Sequence, residues 1–101
     1  MDVRTAVNLA TATDEGGNLT VSLEHLDDGA LQIFYYDIGD RPMAMYGDSD
    51  YEAWATVAPE NIARLAFALL AEKFAGRTDA LSELVKFCRE HDIPVDVGVY
   101  T

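Results

Sequence analysis

A change of hydrophobic period at Ala58-Pro59 constrains this chain more than any other feature. Before it, apolar residues recur at every second position; after it, they recur at helical spacing. Strands gathered ahead of helices favour an antiparallel sheet over β–α–β crossovers. In the first half, Val3, Thr5, Val7 and Leu9 alternate with Arg4, Ala6, Asn8 and Ala10, and Asp14-Glu15-Gly16-Gly17-Asn18 reads as a turn. Leu19, Val21 and Leu23 alternate with Thr20, Ser22 and Glu24 until Asp27-Asp28-Gly29 closes the segment. Residues 30–38 hold Ile33, Phe34, Tyr35 and Tyr36 in succession, the mark of a central strand with apolar neighbours on both faces.

Gly39-Asp40-Arg41-Pro42 is expected to break the sheet, because Pro42 has no backbone donor and holds Arg41 extended. A short strand over 43–46 and a tight turn at Gly47-Asp48-Ser49-Asp50 would then lead into a strand over 51–57. In that strand Tyr51, Ala53, Ala55 and Val57 oppose Glu52, Trp54 and Thr56.

Beyond Ala58, proline at a first helical position and Glu60 beside it start a helix near 59–75, with Ile62, Leu65, Ala66, Phe67, Leu69, Leu70 and Phe74 forming a broad apolar band. Gly76 stops it. Thr78 or Asp79 can cap a second helix near 78–91, where Leu81, Leu84, Val85 and Cys88 share one side. Val95, Val97 and Val99 alternate with Asp96, Gly98 and Tyr100, which predicts a last strand returning to the sheet. The expected fold is a single α+β domain over 1–101: an antiparallel β-meander of five or six strands with two helices on one face, in the order β-β-β-(β)-β-α-α-β. Its expected core includes Leu19, Val21, Leu23, Ile33, Ile62, Leu65, Leu69, Leu81, Leu84, Val85, Val97 and Val99.

Charge narrows the partners. With 18 acidic and 7 basic residues the chain carries a net charge of -11, which repels phosphate backbones and anionic lipid and suits a basic protein partner. No direct binding to nucleic acid or to a membrane is expected, and no run approaches the roughly 20 apolar residues of a membrane span. A lone cysteine, Cys88, permits no internal disulfide, and the opening residues lack the apolar stretch of a secretion signal, so the cytoplasm is the expected location.

Asp48, Asp50 and Glu52 offer oxygen ligands for a hard cation or carboxylates for acid–base work, together with Asp37 and Asp40. The series fails as a calcium loop, because Ala53 stands where glycine is needed and Pro59 where a bidentate glutamate is needed. His25 and His91 have no partner at metal-ligand spacing, and there is no phosphate loop or nucleophile elbow. These counts give no cofactor, metal or catalytic residue as the expectation. Phe34, Tyr36, Tyr46, Tyr51 and Trp54, ringed by Asp48, Asp50 and Glu52, instead read as an interface centre with a polar rim, and they are the candidate binding residues.

The segment Tyr36-Asp37-Ile38-Gly39, followed by Tyr46-Gly47-Asp48-Ser49-Asp50-Tyr51-Glu52-Ala53-Trp54-Ala55-Thr56-Val57, resembles small bacterial proteins of unassigned function that carry Y-D-x-G and then G-x-s-D-Y-E-x-W-x-T-V ahead of a helical half. The likeness spans about two-thirds of the chain, and its motifs imply no mechanism. In style the chain is also similar to small acidic immunity proteins that neutralise toxins. The expectation is a non-catalytic protein-binding module, with two alternatives. One is a structural homo-oligomer, specifically a homodimer burying Trp54 or Phe34 at a two-fold axis. The other is a small carboxylate- or metal-dependent hydrolase using Asp48, Asp50 and Glu52 beside a deep pocket.

Overall fold

The computed structural model describes residues 2–100 and shows an α+β chain with one antiparallel sheet of four strands in sequential order. The strands are β1 (Val3–Asp14), β2 (Gly17–Leu26), β3 (Leu31–Ile38) and β4 (Asp50–Val57), and the helices are α1 (Asp40–Tyr46), α2 (Ile62–Phe74) and α3 (Ala80–Glu90). By contacts the chain divides into two compact units, Met1–Leu65 and Ala66–Thr101.

Within the first unit each turn is fixed locally. Asp14 pairs with Gly17 across a two-residue turn, and the Gly16 amide donates to Asp14 Oδ1 at 2.8 Å. Between β2 and β3 the Ala30 amide donates to Asp28 Oδ1 at 2.9 Å, and Leu26 and Ala30, both buried, close the turn with a 2.9 Å backbone bond. The glycines at the far end of β2 and β3 meet backbone to backbone. Gly39 has φ +126°, and a Cβ on it would lie 2.7 Å from Gly17 Cα, so only glycine fits there.

Three expectations are corrected. The sheet has four strands, not five or six, because residues 43–46 belong to helix α1 rather than to a short strand. Pro42 does not break structure here; it sits buried in the first turn of α1, where its missing amide costs nothing, and Gly47, with φ +79°, closes the helix by donating to Met43 O. The segment 95–100 forms no strand, and the order becomes β-β-β-α-β-α-α. Helix α1 packs against β2, β3 and β4.

In the second part of the chain the period change holds. Pro59–Asn61 forms a 3-10 turn with an Asn61 N to Ala58 O bond of 2.9 Å, and α2 continues from it. Asp79 stands at the start of α3, but its carboxylate is held by Arg77 through bonds of 3.0 and 2.8 Å and caps nothing. Asp92, in the left-handed region at φ 55°, and a bond from Ile93 N to Cys88 O terminate α3. Cys88 is buried and free. The expected core is only partly realised: Leu19, Val21, Ile62, Leu65, Leu84 and Val85 are half-buried, while Leu23, Ile33, Leu69, Leu81, Val97 and Val99 are exposed.

Candidate functional site

Strand pairing assigns the residues of β2, β3 and β4 to two faces. Leu23 pairs with Ile33 and Ile33 with Ala55; Val21 pairs with Tyr35 and Tyr35 with Ala53; Leu19 pairs with Asp37 and Asp37 with Tyr51. These rows make one nearly uncharged face. The alternate rows make the other: Glu24–Gln32–Thr56, Ser22–Phe34–Trp54, Thr20–Tyr36–Glu52 and Asn18–Ile38–Asp50.

On this second face, five of the eight candidate binding residues come together: Phe34, Tyr36, Asp50, Glu52 and Trp54. Phe34 and Trp54 are cross-strand partners, and the Phe34 and Tyr36 rings stack at 6.3 Å. Trp54 is 63% exposed. One side of this aromatic row is fixed by a hydrogen-bonded ladder, in which Gln32 Nε2 donates to Glu24 Oε1 at 2.8 Å and Thr56 Oγ1 donates to Gln32 Oε1 at 2.7 Å. The other side carries Glu52 and Asp50. The Asp50 carboxylate beside it, partial burial and the Glu52 charge push the Tyr36 hydroxyl above the usual tyrosine range.

Tyr46 and Tyr51 lie on the opposite, uncharged face. Tyr46, from the end of α1, stacks on Tyr51 at 3.8 Å between ring centres, and Tyr35 meets Tyr51 edge-on at 6.0 Å. They line an open cavity of about 490 Å³ with Ile33, Ala53, Trp54 and Ala55. Burial, reinforced by the Asp37 charge, raises the Tyr35 hydroxyl. Asp48 precedes the strand, where its Oδ1 accepts the Asp50 amide at 3.1 Å, so it belongs to the turn and not to a strand face shared with Asp50 and Glu52.

The carboxylates therefore have no common focus. Asp37 is across the sheet from Asp50 and Glu52, and of the five only Asp50 lines the open depression beside Tyr36, about 490 Å³ between Asn18, Ile38 and Ser49. Among the described residues no group of three or more His, Cys, Asp or Glu side chains is placed to hold a metal ion. No helix among them is long and apolar enough to cross a membrane.

One residue escaped the sequence reading. Arg41 joins the β1–β2 turn to the end of β3: it donates to both oxygens of Asp37 at 2.9 and 3.0 Å and to both of Asp14 at 2.9 and 2.8 Å, and its amide donates to Gly16 O. Asp37 is 1% exposed. Asp37 lies in β3 and Arg41 in α1, so no helical spacing rule marks the pair in the sequence. No family model, curated protein or solved structure matches this chain.

Proposed function

We propose that this chain is a non-catalytic binding module, bacterial and cytoplasmic, whose aromatic and acidic sheet face engages a basic protein in the style of immunity proteins. The observation that carries this reading is Trp54, 63% exposed on the edge strand β4, paired with Phe34 and on the same face as Glu52. Tryptophan is the residue type most often found anchoring protein interfaces, and leaving it in water forfeits a large apolar contact. Carboxylates at the rim attract basic side chains and reject acidic competitors, adding specificity and association rate. The net charge of -11 extends that attraction beyond contact distance.

The sole tryptophan makes the test direct, because the emission comes from Trp54 and no other residue of its type. Titration with a lysine- and arginine-rich peptide should give a saturable emission change that weakens as salt rises, and an acidic peptide should give none. Glu52→Gln should weaken binding clearly more than Glu72→Gln, a charge-matched change on α2. Equal weakening by the two would reduce the effect to bulk charge and sink the proposal.

A further inference from the structure

We infer that the depression beside Tyr36 is a socket for an arginine side chain of the basic partner, an inference that rests on the function proposed above and narrows it to one residue type. Every residue lining the depression belongs to the first unit, Met1–Leu65. Phe34 and Ile38 flank Tyr36 on the same face of β3. Phe34 stacks on Tyr36 at 6.3 Å, whereas Ile38 lines the depression with it, so Tyr36 ends the aromatic row and walls the opening. Asp50, paired with Ile38, brings its carboxylate beside the Tyr36 hydroxyl. The far wall is backbone: the Gly39 amide donates to Ser49 O at 2.8 Å, and Gly17 and Gly39 meet without side chains that could fill the space.

The chemistry of the walls selects a guanidinium. Among the described residues no basic side chain pairs with Asp50: Arg41 is committed to Asp14 and Asp37, and Arg4 to the Asp27 carbonyl. Asn18 and Ser49 add an amide oxygen and a hydroxyl at the rim as further acceptors. The Tyr36 ring and Ile38 make the remaining walls apolar. Such a site suits a planar, weakly hydrated guanidinium, which stacks on a ring while its donors fork onto a carboxylate, and disfavours an ammonium, which holds its water more strongly. The chain builds the same arrangement from its own residues at Arg77, whose guanidinium lies 5.7 Å from the Phe74 ring centre and donates to both oxygens of Asp79. Tyr36 and Asp50 offer the ring and the carboxylate of that arrangement, and the partner supplies the cation.

Two dye-labelled peptides, identical except that one carries arginine wherever the other carries lysine, test this by anisotropy titration against the full chain. Wild type should bind the arginine peptide at least about tenfold more tightly than the lysine peptide. Asp50→Asn and Tyr36→Leu should each bring the two affinities within about twofold of one another. Glu52→Gln, on the same face but outside the depression, should weaken both peptides and keep the arginine preference. Should Tyr36→Leu unfold by circular dichroism, Asp50→Asn, at the first residue of β4, decides. Equal wild-type affinity for the two peptides, or an arginine preference that Asp50→Asn leaves intact, overturns the socket while the basic partner stands. Binding of neither peptide overturns both.

Discussion

The Arg41 guanidinium grips the Asp37 carboxylate with two parallel bonds, Nε to Oδ2 at 2.9 Å and Nη2 to Oδ1 at 3.0 Å, at a point where Asp37 is 1% exposed. A buried carboxylate without a partner is costly, and the planar fork of arginine satisfies both of its oxygens at once. The same side chain reaches Asp14 in the β1–β2 turn, so one residue from α1 ties together the turn and the end of β3. This corner also holds Gly17 and Gly39 in contact, backbone against backbone.

Removing the fork should be the most damaging polar change in the first unit. Arg41→Ala strands the Asp37 carboxylate, and a stranded buried charge costs about 3–5 kcal/mol. Arg41→Lys should be intermediate, because an ammonium cannot bond both oxygens in one plane. Combining Arg41→Ala with Asp37→Asn should restore part of the loss by removing the charge. Urea denaturation measures all three. A loss below about 0.5 kcal/mol for Arg41→Ala, the level of an ordinary surface change, would show that Asp37 is not held as described.

The Asp14 end of the same bridge makes a pH prediction. The Arg41 guanidinium and the Gly16 amide hold the Asp14 carboxyl below its ordinary value of 3.8. Since the native value lies below the unfolded one, the ionised form stabilises the native state above the unfolded value, and that contribution disappears as pH falls through the native value. Wild type should therefore unfold at a higher temperature than Asp14→Asn near pH 7, by a modest margin because the pair is exposed, and the margin should close below the carboxylate range. A margin that persists in strong acid would mean that the aspartate acts through something other than its charge.

How far the sequence revealed this molecule depends on whether each signal was local. The hairpin turns at Glu15-Gly16 and Asp28-Gly29, the strands β2 and β3, and the helix boundary at Pro59 were legible, because turn residues and hydrophobic period act over a few positions. Helix α1 is hidden because Pro42 has the look of a breaker, although Asp40 ahead of it and Gly47 after it are the ordinary marks of a helix start and stop. The tail failed for a different reason. Alternation at Val95, Val97 and Val99 states which residues would share a face, but a strand also needs a partner edge, and pairing is not written in a segment's own period. For the candidate site, alternation along β3 and β4 correctly put Phe34 with Tyr36 and Glu52 with Trp54. It could not place Tyr46 and Asp48, which lie outside the strands.

The acidic character of the Trp54 face makes its own prediction through Tyr36. Asp50 and Glu52 lie on the neighbouring strand of the same face, Glu52 directly opposite Tyr36 and Asp50 diagonal to it, and their negative charges oppose formation of a phenolate. The native hydroxyl therefore stays protonated above the ordinary tyrosine value of 10.0, where the unfolded chain would ionise. A raised native value means a contribution to stability that is complete below the unfolded value and is lost as pH rises through the native one. Following phenolate absorbance in wild type and in Tyr36→Phe isolates this residue from the other four tyrosines. Asp50→Asn should move the Tyr36 titration down toward the ordinary value, and should do so more than Glu52→Gln, because the Asp50 carboxylate is the largest influence on that hydroxyl. Were Asp50→Asn to leave the Tyr36 titration in place, the carboxylate would not stand beside that ring, and the acidic rim on which recognition of a basic partner depends would be lost with it.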